Sequence, residues 1–268
     1  MPAHAMIMDE VARFPTVLLF NIPIKAMTMV EALDLIHLAI TNAAPLHIGV
    51  VNAAKVVNMH RNPALGDDVR SSDVIFADGA SVVWASRLLR CPLPERVAGI
   101  DLMMGMLERG IQHGYRVYLL GATEEVNRTV AERIKIDFPG VVVAGRRNGY
   151  FSADEEEAIA NDIALAKPDI LLVAITSPKK EQFLARWSDR IQVPICHGVG
   201  GSFDVYAGKV KRAPLAWQRC GMEWLYRLLQ EPGRMWKRYL VTNTIYCGLV
   251  LRELTRKVLS GNRKGVVL

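Results

Sequence analysis

Ile170-Leu171-Leu172-Val173-Ala174-Ile175, running into Thr176-Ser177-Pro178-Lys179-Lys180-Glu181, joins an unbroken apolar run to a tight turn and then to an amphipathic stretch. A short apolar run rich in β-branched residues and bounded by turn signals suits a strand buried on both faces, the mark of a parallel sheet. Pro178–Arg190 has a helical pattern, and Pro178 suits a first helical turn. The same couplet recurs on either side. Strands are expected at His47–Asn52, Val74–Asp78, Arg116–Gly121, Val141–Gly145 and Val193–His197. Helices are expected at Gly79–Arg90, Asp101–His113, Thr123–Asp137 and Ser152–Ala166, where Ser152 and Glu155 have the capping-box spacing. Strands separated by helices of this length predict an α/β fold: a Rossmann-like, mostly parallel sheet with helices on both faces. Such sheets bind ligands at the carboxyl ends of their strands.

After Gly208 the pattern changes. Met222–Gln230 reads as a helix, Pro232-Gly233 as a break, and Arg234–Val258 as helical again, with arginines and aromatics interleaved. The expected division is an α/β body over 1–218 and a basic helical appendage over 219–268. Charge marks the same boundary. Residues 219–268 hold 10 Lys and Arg against 3 acids, a net +7, whereas the rest holds 23 against 24, a net −1. An anionic partner at the appendage is implied.

Other bulk features exclude classes. With 51% hydrophobic and 22% charged residues, long disorder is excluded. Cys91, Cys196, Cys220 and Cys247 form no Cys-x-x-Cys pair, which argues against a zinc site or disulfide framework and for a reducing cytoplasm. Met1–Phe14 lacks the basic-then-apolar pattern of a secretory signal. Tyr239–Leu251, interrupted by Thr242-Asn243-Thr244, falls short of the roughly 20 apolar residues a spanning helix needs.

The expected strand ends carry the candidate chemistry. Asn52 closes the first and Asp78-Gly79 the second. Asp78 reads either as the N-cap of the next helix or as a general base. Arg96, in a loop before a helix, is a solvated charge or a fork for a diphosphate. Lys179 and Lys180 in a first helical turn oppose the helix dipole, a local cost that a phosphate or a carboxylate nearby would offset. Gly198-Val199-Gly200-Gly201-Ser202-Phe203-Asp204 is a glycine-rich turn after a strand. Phe203 stands where a dinucleotide fingerprint wants Gly or Ala, which weighs against a nicotinamide-dependent oxidoreductase. A nucleic-acid-binding role for the basic tail is the other rival; the Leu, Ile and Val content of the tail favours a lipid surface instead. His197 reads as a core histidine.

Seven segments in the same order resemble the WecG/TagA/CpsF family of bacterial glycosyltransferases (glycosyltransferase family 26). They are Val51–Val56, Ala77-Asp78-Gly79, Arg96–Asp101, Tyr118–Gly121, Ser177–Glu181, Gly198–Asp204 and Glu223–Pro232, and the resemblance spans about Thr16 to Tyr246. It implies inverting transfer from a UDP-sugar onto an undecaprenyl-diphosphate-linked sugar, with no metal or other cofactor. Asp78 then matches the catalytic base, Asn52 an active-site asparagine and Arg96 an arginine near the donor pocket. The donor site is expected from Gly121, Pro178, Lys180, Glu181, Gly200, Gly201, Phe203 and Asp204. Arg227, Arg234 and Arg238 are expected to meet the acceptor diphosphate. Many members have Thr where Val50 stands and Gln where Lys180 stands. The Asn-Ala-Ala-Lys and Thr-Ser-Pro-Lys-Lys-Glu spellings resemble the xanthan-type GumM branch, which implies glucose from UDP-glucose in exopolysaccharide synthesis. N-acetylmannosamine or its uronic acid is the alternative donor sugar. The expected partners are the UDP-sugar, the polyprenyl-linked acceptor and an anionic membrane surface at the cytoplasmic face of the inner membrane, with peripheral attachment. No nucleic acid is expected, and a homo-oligomer is left open.

Overall fold

The computed structural model describes residues 3–259, apart from the side chain of Arg234. Helix α1 (Ala3–Ala12), a hairpin of β1 (Thr16–Leu19) and β2 (Ile22–Lys25), and α2 (Met29–Thr41) lead into the sheet. Then follow β3 (Leu46–Val51), α3 (Ala53–Arg61), α4 (Pro63–Arg70), β4 (Val74–Ala77), α5 (Ala80–Leu88), α6 (Gly99–His113) and β5 (Arg116–Gly121). The second half holds α7 (Glu124–Asp137), β6 (Val142–Arg147), α8 (Glu156–Ala166), β7 (Ile170–Ala174), α9 (Lys179–Ile191) and β8 (Ile195–Gly198). Four helices follow among the described residues: α10 (Ser202–Tyr206), α11 (Leu215–Arg219), α12 (Glu223–Gln230) and α13 (Pro232–Leu259).

The six strands β3 to β8 form one parallel sheet in the order β4-β3-β8-β7-β5-β6. Alternation along the strands divides two cores. Leu46 and Ile48 of β3, Val117 and Leu119 of β5, and Ile170 and Leu172 of β7 join side chains of α1, α2, α6 and α7 on one face. Tyr118 and Leu120, with Leu171 and Val173, meet α8 and α9 on the other face. Val51 and Ala77 meet α3, α4, α5 and the β1–β2 hairpin there. A strand whose every residue enters one core or the other must be apolar throughout, which is the pattern of Ile170–Ile175.

Element ends differ from expectation in ways with local causes. The strand expected at Val141–Gly145 runs over Val142–Arg147 and forms the sheet edge, where no residue is fully buried and Val142 and Arg146 are exposed. Ser152 and Glu155 do form the capping box, but its first turn is 3₁₀, over Ala153–Glu155. The expected break at Pro232-Gly233 falls at Glu231 instead, and Pro232 opens α13. Proline is tolerated there because the first helical N–H has no intrahelical partner.

Helix α13 returns across the α/β body. Tyr246 is buried with Ile245, Leu249, Val250 and Leu254 against the core that holds Val56 and Val57 of α3. The Tyr246 hydroxyl donates to the Ser81 carbonyl at 3.2 Å, and Lys257 Nζ to the Leu89 carbonyl at 2.8 Å. Among the described residues no helix is long and apolar enough to cross a membrane.

Gly121 sits at the carboxyl end of β5 with φ +125°, and a Cβ there would lie 2.4 Å from the Ala174 carbonyl carbon on β7. Neither the backbone angle nor the space admits a side chain. Gly121→Ala is expected to lower stability by about 3 kcal/mol through strain and overlap with backbone. A shifted urea midpoint at unchanged slope is the measurement.

Candidate active site

Parallel pairing of β3 with β4 sets Val51 opposite Ala77, so the next residue of each strand emerges at the same sheet end. Asn52 Nδ2 donates to Asp78 Oδ2 at 3.1 Å, and the Asp78 N–H donates to the Val51 carbonyl at 2.9 Å. Asn52 is also the N-cap of α3, its Oδ1 accepting from the Lys55 N–H at 3.1 Å. Capping consumes the amide oxygen and leaves the NH₂ to face Asp78. The other carboxylate oxygen, Oδ1, accepts the Gly99 N–H at 2.8 Å. Gly99 is the first residue of α6, so one free donor of that helix end is satisfied by Asp78. Asp78 therefore does not cap α5, whose N-cap is Gly79 without a side-chain bond. It is a half-buried carboxylate held by two donors at a strand end.

Arg96 is not a free cation. It bonds Glu223 on α12 through Nη1 and lies 3.4 Å from Asp101 on α6 through Nη2. Arg212 completes a ring, 2.5 Å from Asp101 and 3.9 Å from Glu223. Two guanidinium groups and two carboxylates thereby tie the start of the appendage to the loop beside Asp78. Asp101 and Glu223 lie in segments that carry the family resemblance, whereas Arg212 lies in none, and its nearer partner, Asp101, is 111 residues away.

The glycine turn after β8 is open at Gly200, where φ is +53° and nothing approaches a would-be Cβ. At Gly201 the Arg227 guanidinium lies 3.4 Å from the would-be Cβ, so an α12 arginine covers the turn. Arg227 Nε is buried without a hydrogen-bond partner. Asp204 is half-buried beside this turn. Phe203 is fully buried in the sheet core, so its side chain is no part of a donor site. Gly121 owes its identity to close strand packing. Pro178 is exposed at the N-cap of α9.

Lys180 and Glu181 also depart from expectation. The Lys180 side chain turns inward beneath Gly198, where a Cβ would meet its Nζ at 2.4 Å, and lies 3.3 Å from Glu181 Oε1. Lys55 of α3 bonds the same oxygen. The carboxylate that offsets two cations in this neighbourhood is thus Glu181 itself. Arg238 is exposed on α13, and the Arg234 side chain lies outside the described residues.

A half-buried, doubly hydrogen-bonded carboxylate at the carboxyl end of a parallel sheet is able to deprotonate a hydroxyl, and a glycine turn covered by an arginine at the same sheet end is able to take a phosphate. A sequence model of the glycosyl transferase WecG/TagA/CpsF family matches residues 17–259. The chain belongs to that family and is a glycosyltransferase. Among similar proteins is the N-acetylglucosaminyldiphosphoundecaprenol N-acetyl-beta-D-mannosaminyltransferase of Bacillus spizizenii, 40% identical over 180 residues, covering 67% of this chain and 69% of the relative. The enzyme of the same name from Bacillus subtilis is 37% identical over 191 residues, 71% of this chain and 73% of the relative. Both names carry N-acetylmannosamine. The xanthan-type glucose expectation finds no support in them, and the alternative donor fits them better.

Burial, with neighbouring Lys55 adding to it and Glu181 opposing it, pulls the Lys180 ammonium from its ordinary 10.5 to about 8. The unfolded chain then holds this proton more tightly than the folded one. The folded state carries the full penalty below about pH 8, and stability rises with pH until about 10.5. Lys180→Gln removes this titration and leaves the other groups in place. The stability of wild type minus variant, from denaturant unfolding at about pH 7, 8.5 and 10, is expected to climb across that window. A flat difference would contradict the burial of this charge.

Proposed function

We propose that this chain transfers N-acetylmannosamine from its UDP-sugar onto undecaprenyl-diphosphate-linked N-acetylglucosamine, with inversion at the anomeric carbon. The observation that carries the proposal is Asp78, held by Asn52 and Gly99 at the sheet's carboxyl edge. The acceptor hydroxyl attacks the anomeric carbon while Asp78 takes its proton. The bond to the diphosphate breaks and UDP leaves with the electron pair. Two donors on the carboxylate hold it aimed, which favours proton abstraction along one direction. The names of both relatives support this acceptor and this sugar. Lys180, one of the departures behind the glucose reading, is engaged with Glu181 beneath Gly198 and gives no reason to leave the relatives' donor.

The open turn at Gly200-Gly201, covered by Arg227, suits the leaving diphosphate: backbone approaches it from one side and a guanidinium from the other. With such cations at the diphosphate, no divalent metal is required. Residues 1–218 form the donor-binding body, and 219–268 serve the acceptor and the membrane, with Arg227 also reaching over the donor site. Leu229, Trp236 and Leu240 are exposed on α12 and α13, among Lys237 and Arg238, in a segment of net charge +7. Apolar side chains flanked by cations suit reversible docking on an anionic cytoplasmic membrane face, each cation contributing about 1 kcal/mol at most.

Asp78→Asn keeps the shape and one of the two accepted hydrogen bonds but removes basicity. Turnover is expected to fall about 10²–10⁴-fold with UDP affinity retained. Near-full turnover would remove Asp78 from the chemistry. A donor panel read by product mass, with a lipid-diphosphate acceptor, is expected to favour UDP-N-acetylmannosamine over UDP-glucose and to be indifferent to EDTA. Preference for glucose, or activity restored only by Mg²⁺ or Mn²⁺, would overturn the corresponding half.

A further inference from the structure

We infer that His197 is a positioning residue for the reaction: it pins Gly99 so that the Gly99 N–H holds Asp78 in place. The inference rests on Asp78 being the base. His197 lies near the carboxyl end of β8, the strand beside β3 at the centre of the sheet, and is fully buried. Its Nε2 stands 3.1 Å from the Gly99 carbonyl oxygen. A carbonyl only accepts, so Nε2 carries the hydrogen and donates. Nδ1 is then a bare lone pair, buried without a partner.

A buried acceptor left unpaired is costly, and an apolar side chain would fill the same core without it. Packing alone therefore does not account for a histidine at this point, whereas its bond to Gly99 does. Gly99 is held from both sides, its carbonyl by His197 and its N–H by Asp78 at 2.8 Å. A Cβ on Gly99 would lie 3.6 Å from His197 Nε2 and 3.8 Å from Asp78 Oδ1, so both side chains rest against this one residue. Burial pushes the imidazole down to about 4, and the Gly99 bond and the Asp78 charge only partly oppose it. At neutral pH the ring is an uncharged donor. It thus acts through geometry, by fixing α6's first residue, and does not compete with Asp78 for the acceptor's proton.

Two amides separate geometry from packing. Gln places an N–H near the Nε2 position, and Asn reaches only as far as Nδ1. His197→Asn is expected to lower kcat by about 10–100-fold, with KM for the UDP-sugar within about twofold, because misplacement near the chemistry costs turnover more than binding. His197→Gln is expected to restore kcat to within about threefold of wild type. Equal kcat values for the two folded amide variants, whether high or low, would overturn the inference. So would an Asn variant whose loss lies wholly in KM. In an Asp78→Asn background, His197→Asn should cost nothing further, since a residue acting through Asp78 has nothing left to position. Full turnover in Asp78→Asn would sink the assignment of the base. A dead Asp78→Asn beside a fully active His197→Asn would sink only the role of His197.

Discussion

The carboxylate of Asp78 is where three separately built parts of the molecule meet. It ends one strand, takes the first N–H of α6, and receives the side chain that caps α3. Each contact also serves a structural need: a helix end has donors to satisfy, and a cap has an amide to orient. Because those needs are met by this group, its position follows from the same hydrogen bonds that hold the sheet's edge together. The proposed base, set this way, needs little reorganisation when charge moves in the reaction.

Electrostatics ties the appendage to that edge. Arg96, Asp101, Arg212 and Glu223 form a ring of two positive and two negative groups spanning loop, α6 and α12. Isolated surface pairs contribute little, but a partly buried ring has geometry that single pairs lack. It brings α12, and with it Arg227, over the glycine turn. Farther along, Tyr246 and its neighbours bury the middle of α13 in the core. The basic helices are therefore part of the body's packing as well as a cationic surface, which leaves Trp236 and Leu240 outward.

A second charged group lies inside. Lys55, Glu181 and Lys180 join the first turns of α3 and α9 beneath Gly198. Two cations share one carboxylate oxygen, and Glu181 Oε2 is left without a partner. Such a site is poor evidence of stability and better evidence of a specified arrangement of the two helices. It also explains how Lys180 can occupy a helix start that the dipole disfavours, while Lys179 beside it donates to the Phe151 carbonyl at 2.6 Å.

Much was legible in the chain itself. Continuous apolar runs between amphipathic ones determine a doubly covered parallel sheet, since no other arrangement buries both faces of such strands. That in turn fixes Asn52 and Asp78 at one end of it. Glycines 200 and 201, and the charge step near residue 219, could be read directly. Only the tertiary structure decided what each charge faces. Arg96 and Lys180 read as free cations for a diphosphate, yet they pair with Glu223 and Glu181. Phe203 read as part of a binding turn, yet it fills the core. His197 read as a core histidine, and the fold supplies its partner, the Gly99 carbonyl. Periodicity reports which side of an element is buried, because burial repeats with the element's own geometry. The partner of Arg96 comes from another element 127 residues away, and no local pattern encodes that distance.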